Sequence, residues 1–206
     1  MKKRIIKSQD EFDTIKEIKA DEEIIFESKE IRISFIINNF GILRLDGEID
    51  SSIVNRYITS KENALTEIKA YGDSHVHTVA MHSSQVHIEA WDYSQVHIEA
   101  WDSSHIHTEA WDDSQVHTYS WGSSHVHTDA RDSSHVHNDA RDSSQVHNEA
   151  RDSSQVHNDA WNSSQVHIAA WDHAVVTAHG NCNTVDLHGY SVAILPQKTK
   201  VKIKKD

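Results

Sequence analysis

The chain has 206 residues and a formal net charge of −12, enough length for one or two ordinary domains. The charge is uneven: residues 1–72 carry 12 basic and 14 acidic groups, residues 73–180 carry 3 and 16, and residues 181–206 carry 5 and 2. An acidic body of that kind repels phosphate backbones, which disfavours direct nucleic-acid binding, and a lone cysteine, Cys182, excludes an internal disulfide.

The opening, Met1-Lys2-Lys3-Arg4-Ile5-Ile6, is basic, but no apolar stretch of signal-peptide length follows it. No segment approaches the roughly 18 apolar residues that would span a bilayer. The expectation is a cytoplasmic or virion-associated, phage-encoded protein without a secretion signal or a membrane partner. Residues 8–19 place Phe12, Ile15 and Ile18 at helical spacing, and Ser8 with Glu11 matches a capping box. Residues 23–26 and 31–37 read as strands rich in large apolar side chains. Residues 1–62 are thus expected to form a small α/β capping region.

From residue 63 the sequence repeats every ten residues, as in Ser84-Gln85-Val86-His87-Ile88-Glu89-Ala90-Trp91-Asp92 and Ser94-Gln95-Val96-His97-Ile98-Glu99-Ala100-Trp101-Asp102. A short fixed period marks a solenoid, in which one unit stacks on the next. Alternate positions fall into two classes. Ser, Val, a variable residue (Ile88, Thr108 or Asn138) and Ala form one; Gln or His, then His, then Glu or Asp, then Trp or Arg form the other. Period two implies a strand with a dry face and a wet face. The charged class must face water, because an unpaired buried carboxylate in every repeat would cost too much. The dry class is small, so the interior must be thin.

Asp-Ser punctuation, as in Asp132-Ser133-Ser134, favours turns. A straight strand of about 23 Å, seven residues at roughly 3.3 Å each, cannot close a coil alone. Each decapeptide is therefore read as half of a 20-residue coil, giving an all-β, flattened parallel β-solenoid with residues i and i+20 in register. Its body is expected over residues 63–190, with about six rungs between 63 and 180 spaced about 4.8 Å apart. Residues 191–206 are expected to supply a final rung and a lysine-guarded edge strand.

The S-x-V-x-A-x-[WY]-[DG]-x-S pattern, most plainly Ile68-Lys69-Ala70-Tyr71-Gly72-Asp73-Ser74, resembles the decapeptide arrays of bacterial and phage β-solenoid proteins. The coil logic is similar to that of bactofilin-type polymer-forming solenoids and of the two-half-turn RTX solenoid. The resemblance covers roughly residues 63–190 and implies architecture. The RTX motif G-G-x-G-x-D is absent from the chain, so calcium in the turns does not carry over.

Histidine recurs every ten residues from His77 to His167. In the half-coil reading these form two columns: 77, 97, 117, 137 and 157 on one sheet, and 87, 107, 127, 147 and 167 on the other. Four repeats carry H-x-H, and strand residues i and i+2 share a face. Two H-x-H rungs in register, His105/His107 and His125/His127, would gather four imidazoles, a ligand type that suits Zn, Ni and Cu. These four are the candidate metal ligands, with Zn or Ni the candidate ions and no cofactor required. The bland alternative is a polar surface position, because Gln replaces the first His in six of ten repeats.

The Trp/Arg position predicts stacks of Trp91 on Trp111, Trp101 on Trp121, and Arg151 with Trp171, which would stiffen the coil. The candidate binding surface is His87, His97, Trp91, Trp101, Trp111 and Trp121. No singular catalytic constellation stands out: Ser, His and Asp recur in every repeat, whereas a triad needs one geometry. The functional expectation is a non-enzymatic scaffold presenting His, acidic and Trp ladders to a protein partner or ligand, or for self-association. The alternatives are transition-metal capture and an acidic nucleic-acid mimic that inhibits a DNA-handling enzyme. An outer face of His and carboxylates, with Thr inward, argues against ice binding.

Overall fold

A computed structural model describes residues 2–8, 10–11, 14–15, 22–26, 34–38, 42–45, 55–61, 65–70, 72, 75–196 and 199–204. Its strands are β1 (Lys2–Ile6), β2 (Glu22–Phe26), β3 (Ser34–Asn38), β4 (Ile42–Leu45), β5 (Asn55–Lys61) and β6 (Leu65–Ala70). Ten repeat strands follow, each of six residues and beginning every ten, from β7 (His75–Ala80) to β16 (Gln165–Ala170). β17 (Val175–Gly180), β18 (Cys182–His188), β19 (Val192–Ile194) and β20 (Lys200–Lys204) complete the chain.

Successive repeats go to opposite sheets. One sheet has eleven strands in the order β1-β2-β4 and then even numbers to β20; the other has nine, odd numbers from β3 to β19. Every pairing is parallel, and in the repeats residue i lies beside residue i+20, as in His105 beside His125 and Ala110 beside Ala130. The protein is therefore a β-solenoid in which two decapeptides make one coil, as the period-two pattern requires. The strands of the 1–62 region extend the same two sheets. Of the helix expected over 8–19, a single turn is described, where Ser8 Oγ accepts the Glu11 N–H at 3.3 Å and Glu11 returns to the Lys7 N–H at 2.8 Å. The rest of that segment, with Phe12 and Ile18, lies outside the described residues. Among the described residues no helix is long and apolar enough to cross a membrane.

The repeat strand ends one residue earlier than its chemistry suggests, because the Trp or Arg position already begins the turn. The turns are closed by backbone bonds such as Ser94 N–H to the Trp91 carbonyl at 3.1 Å. The Asp after Trp or Arg takes a left-handed conformation, with φ of 57° at Asp92 and 61° at Asp102; His82, Asn162 and Gly122 occupy the same place. Asp, Asn and Gly tolerate that region best, but tolerance does not explain why Asp predominates. Its carboxylate accepts a backbone N–H from the turn one coil below: Asp92 from Gly72 at 3.0 Å, Asp102 from His82 at 3.3 Å. The backbone ladder also runs through the turns, as where the Trp101 N–H donates to the Ala80 carbonyl at 2.9 Å. The inter-coil hydrogen bonding thus continues around the corners as well as along the strands.

The interior is as thin as the small dry class demands. Ser84, Val86, Ile88 and Ala90 are buried, and so are their counterparts in the other repeats. The variable inward position changes from Ile88 and Ile98 to Thr108, Thr118 and Thr128, then to Asn138, Asn148 and Asn158, and back to Ile168. The three asparagines bond across the gap between the sheets. Asn138 Nδ2 donates to Asn148 Oδ1 at 2.9 Å, and Asn148 Nδ2 donates to Asn158 Oδ1 at 2.7 Å.

Asn148 is the hub of this network. Changing it to Ala removes the two shorter bonds, leaves only the 3.3 Å bond from Asn138 Nδ2 to Asn158 Oδ1, and should cost about 1 kcal/mol. Changing all three asparagines to Thr, the residue at this position in the coils below, should cost more, because the hydroxyls of Thr108, Thr118 and Thr128 are buried there without a hydrogen-bond partner among the described residues. Denaturant unfolding of the two variants beside the parent checks this ordering.

Candidate functional site

The outward positions of each strand are Gln or His, then His, then Glu or Asp, and the i to i+20 register turns each into a column. The two walls share a sequence but differ in geometry. On the eleven-stranded sheet the imidazoles stack nearly face to face. Ring centroids are 4.8 Å apart for His87 and His107, 5.0 Å for His107 and His127, and 4.9 Å for His127 and His147, each with planes within 7°. On the nine-stranded sheet they tilt: His77 and His97 meet edge to face at 68°, His97 and His117 at 52°, His117 and His137 at 51°.

The acid partners differ likewise. On the eleven-stranded wall His87, His107, His127 and His147 each face the carboxylate of their own strand, as with His107 and Glu109 at 3.5 Å and His127 and Asp129 at 3.0 Å. On the nine-stranded wall His77 faces Glu99 of the next coil at 3.4 Å, and His137 faces Asp159 of the next coil at 3.7 Å.

The four candidate ligands lie together in register, His105 beside His125 and His107 beside His127. The His105 and His125 rings are 4.8 Å apart and within 2° of parallel. Parallel stacked rings aim their nitrogens side by side rather than at one point. The trios whose ligand atoms converge within 4.8 Å, among the described residues, are His77/His97/Glu99, His137/His157/Asp159 and His127/Asp129/Glu149. His127 alone belongs to both sets. The signal for the other trios was present in the sequence, but it lay in the acid 22 residues beyond a His rather than in the H-x-H pair.

The Trp/Arg columns stand at the strand ends. Trp91 stacks on Trp111 at 4.8 Å and 1°, and Trp101 on Trp121 at 4.2 Å and 15°. Arg131 lies over Trp111 at 4.4 Å and Arg151 over Trp171 at 4.7 Å. His87 and His97 sit in the His columns, with the acid column between them and these rings. Sequence reasoning missed Tyr119, the sole aromatic residue at the acid position in the repeats. It packs against His117 at 4.4 Å and Trp121 at 5.6 Å, joining the His and Trp columns into one aromatic patch.

Each wall carries a groove between its first and second outward columns. That on the nine-stranded sheet encloses about 590 Å³ and runs past His77, His97, His117, His137 and His157, with Gln95, Gln115 and Gln155 on the opposite side. The groove on the eleven-stranded sheet is smaller, about 450 Å³. Cys182 is buried, and burial pushes its thiol up to about 11, which keeps it protonated and unreactive. No family model, curated protein or solved structure matches the chain.

The ladders have an electrostatic consequence. Burial, then the neighbouring His137 and His97 rings, push the His117 imidazole down to about 4. Burial followed by neighbouring imidazoles also lowers His97, His107, His137 and His147. His127 moves the other way, raised first by its hydrogen bond to Asp129, and that bond holds Asp129 below the usual carboxylate range.

A histidine whose folded form resists protonation contributes stability that is whole above the unfolded value near 6.5 and is lost as pH falls toward the folded value. His127 acts in the opposite sense, but five lowered histidines outweigh it. The melting temperature should fall by several degrees between pH 7.5 and pH 5. Scanning calorimetry at the two pH values checks this; a value that does not fall contradicts the lowering of these five imidazoles.

Proposed function

We propose that this chain is a non-enzymatic repeat scaffold whose outer ladders hold a protein partner or ligand. The observation that carries the reading is the long groove on the nine-stranded sheet, about 590 Å³, walled by one column of imidazoles and one of Gln and His. Backbone amides are consumed by the rungs, so the wall is rigid, and rigid presentation lowers the ordering cost of binding. Beyond the imidazole column the wall carries Glu99 and Asp159, with Trp101 and Trp121 at the strand ends. Carboxylates beside large aromatic rings favour a basic protein surface as the occupant.

The nucleic-acid-mimic alternative is less favoured. Its carboxylate rows would have to present charge continuously, yet Arg141 makes two bonds to Asp139 at 3.2 and 3.0 Å, and Arg151 holds Glu149 at 2.9 Å. These pairs interrupt the rows. Assembly through copies of this chain is the remaining form of the scaffold reading, and light scattering separates it from binding of a different protein.

The experiment alters the groove without altering the fold. Gln95, Gln115 and Gln155 are exposed positions on the groove side. Changing all three to Lys places positive charge where a basic partner would sit. Immobilised parent chain should retain a partner that this triple variant loses, whereas the matched change on the other wall (Gln85, Gln145 and Gln165 to Lys) should retain it. Equal capture by the parent and both variants would remove the groove from the function.

A further inference from the structure

We infer that the nine-stranded wall carries two transition-metal sites of the zinc-binding class, His77/His97/Glu99 and His137/His157/Asp159. Each trio draws one His from one coil, and a His with a carboxylate from the next. The two trios are equivalent positions three coils apart. In each, the ligand atoms lie within 4.8 Å of one another.

The distances suit an ion. Zinc binds His nitrogen and carboxylate oxygen at about 2.0–2.2 Å, which sets tetrahedral ligand atoms on the order of 3.4 Å apart. His77 Nε2 and Glu99 Oε1 are 3.4 Å apart, as are His157 Nε2 and Asp159 Oδ1; His137 Nε2 and Asp159 Oδ2 are 3.7 Å apart. Ring orientation agrees. The tilts of 68° between His77 and His97 and 34° between His137 and His157 let two nitrogens converge on one point, as the near-parallel rings of the other wall do not.

The residue two places after the acid, together with the ring tilt, selects which trios are available. Glu99 is followed by Trp101, whose Nε1 donates to the far carboxylate oxygen at 3.2 Å and leaves Oε1 turned to His77. Asp159 is followed by Trp161. Among the described residues neither acid has an Arg or Lys ion pair. At three other acids a cation already holds the carboxylate, and at Glu109, which has Trp111 two places on, the His87 and His107 rings are stacked within 7° and do not converge. Arg141 grips Asp139 and so removes the His117/His137 pair from consideration. Arg151 grips Glu149 at 2.9 Å, and Arg131 approaches Asp129 at 4.0 Å, which disqualifies the His127 trio. Between His97 and His117 the acid is replaced by Tyr119.

Three ligands leave a fourth position open toward the groove, a place for water or for a side chain of a bound partner. At the second site His179 lies opposite Asp159 in the register, its ring 5.1 Å from that of His157. It is the natural fourth ligand there, so the second site should be the tighter.

Calorimetric titration of the untagged full chain with Zn²⁺ tests this directly. The parent should bind two ions. His97→Ala should bind one, His157→Ala one, and the double variant none; His107→Ala and His127→Ala should still bind two. Glu99→Gln and Asp159→Asn, conservative changes at half-exposed positions, should repeat the pattern without disturbing packing. Circular dichroism melts without zinc confirm that each variant is folded. A parent that binds no zinc, or full binding by the double variant, overturns the assignment. So does a loss on the eleven-stranded wall equal to that on the nine-stranded one. The scaffold reading is tested at Gln95, Gln115 and Gln155, none of them a ligand, so either can fail alone.

Discussion

Everything in this molecule depends on parallel pairing of residue i with residue i+20, sustained through the turns as well as the strands. A parallel ladder evenly consumes amides and carbonyls, and here it does not stop at the corners. The Trp101 N–H reaches Ala80, the Ser103 N–H reaches His82, and the Asp102 carboxylate takes the N–H that the left-handed residue of the coil below would otherwise leave to solvent. With the backbone satisfied in this way, the core can remain very small. Val, Ala and Ser fill it, and the occasional Ile, Thr or Asn occupies the middle.

The same register creates both the opportunity and the cost on the outside. Any outward side chain meets the residue at the same repeat position about 4.8 Å above and below, in most columns a copy of itself. For Trp that is favourable stacking, and for neutral imidazole it is tolerable. For carboxylates and imidazolium ions it is repulsive, and the chain answers by interleaving signs. Arg131, Arg141 and Arg151 enter where the acid row needs relief, and burial with neighbouring imidazoles pushes His97, His107, His117, His137 and His147 toward the neutral form. A ladder is therefore a coupled object: one substitution changes the environment of the residues a coil away on either side.

The architecture was legible because a period of two and a period of ten were superimposed in one sequence. The inward class Ser, Val, x and Ala could not face water usefully and the outward class could not be buried, so sheets, register and alternation all followed. The stacking of Trp91 on Trp111 and of Arg151 with Trp171 followed from the same register. Two things were less legible. The role of Asp at the turn looked like ordinary turn preference, because its acceptor function appears only when a second coil lies beneath it. The difference between the walls was also hidden. The repeats alternate sheets with nearly the same residues, and a His that pairs within its own strand looks identical in sequence to one that reaches the next coil. Substitutions such as Tyr119 and Arg141 tell them apart, but only once the columns to which they belong are known.

The central claim is that outward residues twenty apart are neighbours and outward residues ten apart lie on opposite walls. Paired cysteines in a Cys182→Ala background measure it most directly, since a disulfide needs Cα atoms no more than about 7 Å apart. Under mild oxidation, His107→Cys with His127→Cys should cross-link within the folded chain, while His107→Cys with His117→Cys should remain two free thiols. A cross-link in the second variant, or none in the first, would contradict the two-walled coil.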